Sequence, residues 1–307
     1  QTLRLELFKR LNGNNNVQWG HQLVNIKQKP ATNTDVTDQP LDLTFQVKGQ
    51  KKNVKADLVI GADGIRSTVR KLLIGEQNTP LNYLGCIVIL GICKLNALKN
   101  QDNTLLDSAT VFQTANGNER IYVMPYSSDT IMWQLSFPMS EQEAKELSAK
   151  GTQALKKEAI SRTPWHDPIP QIMEATLEAQ ISGYPVYDRE LLTSNLLDHS
   201  GQATLIGDAA HPMSPFKGQG ANQALLDALV LARGIAVGCR PFSNWKEVGI
   251  RKSVLTQFEA EMLQRSATKV QGSAEAAQFL HSEVALHESN APRGKSLKKR
   301  NIKYDQT

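Results

Sequence analysis

The hydrophobic positions of this chain change period along its length, and the changes mark out its elements. Leu3, Leu7 and Leu11 recur at helical spacing and predict a short helix near the start. Val24 and Ile26, then Leu41, Leu43, Phe45 and Val47, alternate with polar residues, predicting half-buried antiparallel strands on either side of a loop over residues 30–40. Leu58, Val59 and Ile60 form an unbroken apolar run that reads as a strand buried on both faces. A turn through Gly61 and Gly64 follows, then a short helix that Ser67 can cap, with Arg66 and Arg70 on one face. Residues 83–93, 109–113, 121–124 and 130–137 read as strands, the last two joined as a hairpin. Ser140-Glu141-Gln142-Glu143 has the form of a capping box, opening a helix that runs toward Ile160 with an interruption at Gly151. Residues 177–187 return as a strand. Leu205 and Ile206 close another strand at Gly207-Asp208, a Pro- and Gly-rich loop follows, and Ala221, Leu225, Ala228, Leu229, Ala232 and Ile235 recur at the spacing of an amphipathic helix. From Phe258 to about Leu286 the composition is again helical.

Two of these strand–loop–helix segments carry candidate chemistry. A carboxylate at a strand's end, as at Asp208, can accept hydrogen bonds from a ligand's hydroxyls, and glycines before a helix let bare backbone N–H groups approach a polarised oxygen. Gly207-Asp208-Ala209-Ala210-His211-Pro212, continued through Pro215 to Gly218-Gln219-Gly220-Ala221-Asn222, resembles the second flavin motif of the FAD-dependent aromatic hydroxylases related to para-hydroxybenzoate hydroxylase. Gly61, Asp63, Gly64, Ser67 and Arg70 are similar to the Asp-Gly fingerprint of the same family.

The resemblance implies an α/β fold: a Rossmann-like, three-layer FAD-binding domain with an inserted antiparallel-sheet substrate domain. On that reading residues 1–79 and 189–240 form the FAD-binding domain, 80–188 the substrate domain, 241–291 C-terminal helices and 292–307 a basic, disordered tail. It implies FAD as cofactor, NAD(P)H as reductant, and oxygen and a small aromatic molecule as substrates. Asp208 would bind the ribityl chain. Gly207 and Pro215 would belong to the same cofactor site, and Gly218, Gln219, Gly220, Ala221 and Asn222 would face the ring, their N–H groups stabilising charge that develops on it. Asp63, Gly64 and Arg70 would contribute to FAD and NAD(P)H binding, and Arg4 stands where the family carries an Arg close to the flavin. The substrate pocket would lie between the inserted sheet and the loop over residues 212–220. Family members open with a strand, a Gly-x-Gly-x-x-Gly turn and a helix that hold the pyrophosphate. No such pattern occurs here, so residues 1–307 alone are expected to lack that βαβ unit, to bind FAD poorly, and to recover binding with an upstream segment. A non-catalytic remnant and a flavin reductase or dehydrogenase are the alternative readings.

Composition narrows the classes further. The 307 residues are 40% apolar, enough for two domains or one large one. Net charge is +5, but residues 293–307 hold six basic residues and one acidic, leaving 29 of each sign in the rest, which does not argue for a nucleic-acid groove. The longest near-apolar run, residues 85–93, is too short to span a membrane, and no signal-peptide pattern opens the chain. Cys86, Cys93 and Cys239 have neither a disulfide framework's number nor a metal site's spacing, which points to a cytoplasmic protein. His211, three residues beyond Asp208, reads as a structural hydrogen-bonder, and no metal site is expected.

Overall fold

A computed structural model describes residues 2–11, 17–27, 40–98, 103–107 and 109–287; the expected tail over residues 292–307 and most of the expected loop over 30–40 lie outside them. The first elements are α1 (Thr2–Lys9), β1 (His21–Lys27), β2 (Leu41–Val47), β3 (Gln50–Ala56), β4 (Val59–Gly61) and α2 (Thr68–Ile74). The middle of the chain forms β5 (Leu81–Lys94), β6 (Phe112–Ala115), β7 (Arg120–Pro125), β8 (Thr130–Pro138), α3 (Glu141–Ala149), α4 (Thr152–Arg162), α5 (Ile169–Ala175) and β9 (Ile181–Arg189). Then come α6 (Ser194–Leu197), β10 (Ala203–Leu205), α7 (Gly220–Gly238), α8 (Trp245–Val248) and α9 (Thr256–Leu280), the last preceded by a π-helical turn at Arg251–Leu255. The chain divides into two compact units: Gln1–Thr79, Leu191–His211 and Ala221–Arg265 make one, and Pro80–Glu190, Pro212–Gly220 and Ser266–Thr307 the other.

In the first unit β1, β2 and β3 form an antiparallel sheet in that order, and β4 and β10 pair in parallel, Val59 against Ala203 and Gly61 against Leu205. Leu41, Leu43, Val59, Val69, Leu205, Leu231, Leu255 and Met262 belong to its core. Ser67 caps α2 as its sequence suggests, its hydroxyl accepting the Arg70 amide at 2.9 Å. Other expectations need correction. Only Val59 of the run at residues 58–60 is buried, while Ile60 on the opposite face of β4 is 40% exposed. Leu3, Leu7 and Leu11 are all exposed, so the apolar spacing there marks a helix without burying a face. Strand β3 has no sequence expectation behind it: its lysines are exposed, and pairing with β2 is what holds it extended. The face of α7 turned inward is not the Leu225–Leu229 side but the stripe Gln223, Asp227 and Leu231.

The second unit is built on a five-stranded antiparallel sheet in the order β6-β7-β8-β5-β9. Ile87, Ile89, Ile121, Trp133, Leu135, Phe137, Ile169 and Ile172 fill its core. Trp133 lies flat enough on β5 that a Cβ at Gly91 would come within 2.3 Å of its ring, and its indole N–H is spent on Thr176 Oγ1 at 2.9 Å. Ser140 and Glu143 form the expected capping box of α3, and Gly151, at φ 87°, separates α3 from α4. The strand expected at residues 109–113 is β6, shifted later, and β9 begins only at Ile181, after a short 3-10 turn.

Candidate flavin site

β4 and β10 leave their parallel pair side by side, Ile206 donating its amide to Gly61 O at 2.9 Å, so the turns carrying Asp63 and Asp208 both start at carboxyl ends of neighbouring strands. That is where open α/β sheets bind ligands. Arg70 joins the two turns. Its guanidinium is buried, with Nη1 donating to Ala209 O at 3.0 Å and Ala210 O at 2.7 Å, and Nε to Thr79 Oγ1 at 2.9 Å.

Asp63 is engaged locally. Its carboxylate accepts the Ser67 hydroxyl and the amides of Thr68 at 2.7 Å and Val69 at 3.2 Å, holding the start of α2. Gly64 takes φ 81°, a conformation that side chains rarely adopt. Asp208 is the opposite case: it is exposed, and its carboxylate has no hydrogen bond or ion pair among the described residues. The atoms packed around it nevertheless desolvate it and push its pKa up, with nearby His211 opposing.

The turn that presents Asp208 is fastened from α7. Asp227 Oδ2 accepts the Gly207 amide at 2.8 Å and His211 Nε2 at 2.7 Å, while Oδ1 accepts Arg265 Nη2 at 2.8 Å. Burial would raise the Asp227 pKa, but the bonds from His211, Gly207 and Arg265 outweigh it and hold the carboxyl below its ordinary value. An ionised Asp227 only accepts, so His211 carries its proton on Nε2, and the buried Nδ1 has no hydrogen-bond partner among the described residues. His211 is thus a structural hydrogen-bonder, as its sequence context suggests. Asp227, Gln223 and Arg265 were not legible in that way; the one available signal is an isolated Asp inside the apolar run of residues 224–232, since a buried acid needs partners.

The remaining candidate residues distribute unevenly. Ala221 and Asn222 open α7 in the first unit, both exposed, and Arg4 is exposed on α1 with no hydrogen bond or ion pair among the described residues. Pro215, Gly218 and Gln219, in the loop, and Gly220, the first residue of α7, belong to the second unit. There Pro215–Lys217 forms a 3-10 turn closed by Gly218 at φ 60°, and a Cβ on Gly218 would meet nothing within 4 Å. Ser214 Oγ donates to Ser273 O at 2.6 Å, and Phe216 packs on Cys86, Val88 and Val186 of the sheet, edge-on to His281 at 5.3 Å. Phe216 therefore packs the loop directly onto the sheet. Burial pushes the His281 pKa down, aided by Arg120 and opposed by the bond to Ala277 O.

A family model described as an FAD binding domain matches residues 8–240. The aurachin C monooxygenase/isomerase of Stigmatella aurantiaca is 29% identical over 223 residues, covering 72% of this chain and 51% of that protein. The 6-hydroxynicotinate 3-monooxygenase of Pseudomonas fluorescens is 26% identical over 219 residues, covering 71% and 51%. The chain thus spans about half the length of these curated relatives. Among solved structures, Klebsiella pneumoniae HpxO complexed with FAD and uric acid superposes with a TM-score of 0.68 at 20% identity, over 92% of this chain and 64% of that one, a likeness of fold.

Proposed function

The chain belongs to the FAD-binding family matched over residues 8–240, and we propose that it is part of a flavin-dependent monooxygenase that uses NAD(P)H and oxygen to hydroxylate a small aromatic molecule. The observation that carries the reading is Asp208: a desolvated carboxylate with no hydrogen bond or ion pair among the described residues, exposed at the carboxyl end of β10. A group left in that state fits a ligand rich in hydroxyls, and the open, positive-φ Gly218 fits a planar group approaching bare backbone. Asp208 would hold the ribityl chain of FAD, and the amides of Ala221 and Asn222 near the start of α7 would face its ring. Bound FAD supplies the redox chemistry, drawing on NAD(P)H and oxygen. Arg70 keeps the two turns in register by binding the carbonyls of Ala209 and Ala210.

The aromatic substrate class is supported by the relatives' names and by the aromatic side chain of Phe216 on the loop, with Arg120 at 6.0 Å from its ring. No helix among the described residues is long and apolar enough to cross a membrane, and Cys86, whose thiol burial pushes up to about 12, stays protonated at neutral pH. Both are compatible with a cytoplasmic enzyme. The test is NAD(P)H oxidation by the FAD-supplemented protein against a panel of hydroxylated aromatic acids and heterocycles, with oxygen uptake followed in parallel. Uptake matched to NAD(P)H and to hydroxylated product supports a monooxygenase. NAD(P)H oxidation with product reduction and no oxygen uptake would instead mark a reductase.

A further inference from the structure

A carboxylate buried on the inward face of a helix is costly unless donors occupy its oxygens. Asp227 on α7 is 0% exposed, and its two oxygens take three donors: the Gly207 amide and His211 Nε2 on Oδ2, and Arg265 Nη2 on Oδ1. The two donors that share Oδ2 flank Asp208, one residue before it and three after. His211 spends its ring N–H on this bond, its other ring nitrogen being buried without a hydrogen-bond partner among the described residues. Gly207 takes φ 57°, and a Cβ there would stand 3.0 Å from that of Ala224, so the turn lies directly on α7. Arg265, which also donates to Gln223 Oε1 at 2.8 Å, supplies the countercharge that lets Asp227 stay buried and ionised. One oxygen of α7 therefore closes the turn on both sides of a carboxylate that has no hydrogen bond or ion pair of its own among the described residues.

We propose that Asp227 is a positioning residue for the cofactor: acting through Gly207 and His211, it fixes the direction of the Asp208 carboxylate toward the hydroxyls of the FAD ribityl chain. The inference rests on the FAD-binding reading above. An amide at this position fails for a stated reason. If its oxygen meets Gly207 and His211, its N–H₂ meets Arg265; if it is flipped, the N–H₂ meets the Gly207 amide.

The experiment is a double-mutant cycle in FAD affinity, read by quenching of flavin fluorescence, with a thermal melt of each ligand-free protein. Asp208→Ala and Asp227→Asn are each expected to weaken binding by about tenfold or more, the scale of losing a hydrogen bond to a charged group. Combined, they should bind no more weakly than Asp208→Ala alone, because Asp227 acts through Asp208. A purely structural Asp227 would lower the melting temperature while leaving the two effects on affinity to multiply, and that result overturns the proposal. Should Asp227→Asn not fold, His211→Gln and His211→Leu carry the same question. The Gln amide can donate to Asp227 as Nε2 does and should keep affinity, whereas Leu cannot and should lose it only when Asp208 is present. Equal affinity of Asp227→Asn or His211→Leu with the wild type, while Asp208→Ala is weakened, overturns this inference and leaves the FAD reading standing. Weak binding by residues 1–307 leaves the cycle readable as ratios of affinity; a wild type that binds FAD no more tightly than Asp208→Ala overturns both.

Discussion

At Asp208 burial raises the carboxyl pKa against the influence of His211, whereas at Asp227 three donors overcome burial and lower it. The two shifts have opposite consequences for stability. A raised native pKa means the folded state holds its proton more tightly than the unfolded one, so ionising Asp208 costs stability once pH exceeds the ordinary carboxylate value of about 3.9. Asp208→Asn should therefore melt at a higher temperature than the wild type at pH 7, with the gap closing below about pH 4, even as FAD affinity falls. Stability given up at a binding residue is what a site kept ready for a ligand would show. His281 has a lowered pKa, so the unfolded chain binds its proton first and stability falls as pH drops below about 6.5. Melting curves between pH 7 and 5 should show that decline, and His281→Gln should flatten it. Asp208 was legible in the sequence because a strand end and a glycine-rich loop frame it. Asp227 was not, because burial and donors come from residues as distant as Arg265.

At the scale of elements, local chemistry was readable and facing was not. Ser67, the Ser140 capping box and Gly151 mark helix ends through contacts within a few residues, and all three act as their sequence suggests. Helix α7 was readable as a helix, but its periodicity fits two stripes, and the side buried is chosen by partners elsewhere in the chain. Leu225 and Leu229 are 44% and 45% exposed, while Leu231 is 2%. Leu229→Gln should then change unfolding free energy by no more than about 0.5 kcal/mol, and Leu231→Ala should cost about 2–5 kcal/mol, in denaturant melts. Strand β3 was unreadable for a related reason: its sequence, rich in lysine, carries no alternation, and its hydrogen bonds to β2 are what make it a strand.

For the whole molecule, the turns carrying Asp63 and Asp208 fall in one compact unit, where β4 and β10 pair and Arg70 ties their ends together, while residues 212–220 of the second motif fall in the other. The family resemblance was legible because its two motifs are short and dense in glycine and aspartate; the substrate was not, because the sheet face that would recognise it is assembled from β5, β7, β8 and β9 with the loop residue Phe216. The turn around Asp208 is the place where, on the reading proposed above, this chain meets FAD. Amide hydrogen exchange of the protein with and without saturating FAD tests it directly. Peptides covering residues 207–211 and 221–222 are expected to slow on adding FAD, and Asp208→Ala is expected to abolish the slowing at the same FAD concentration. Exchange unchanged in both segments, or slowed equally in Asp208→Ala, would contradict it.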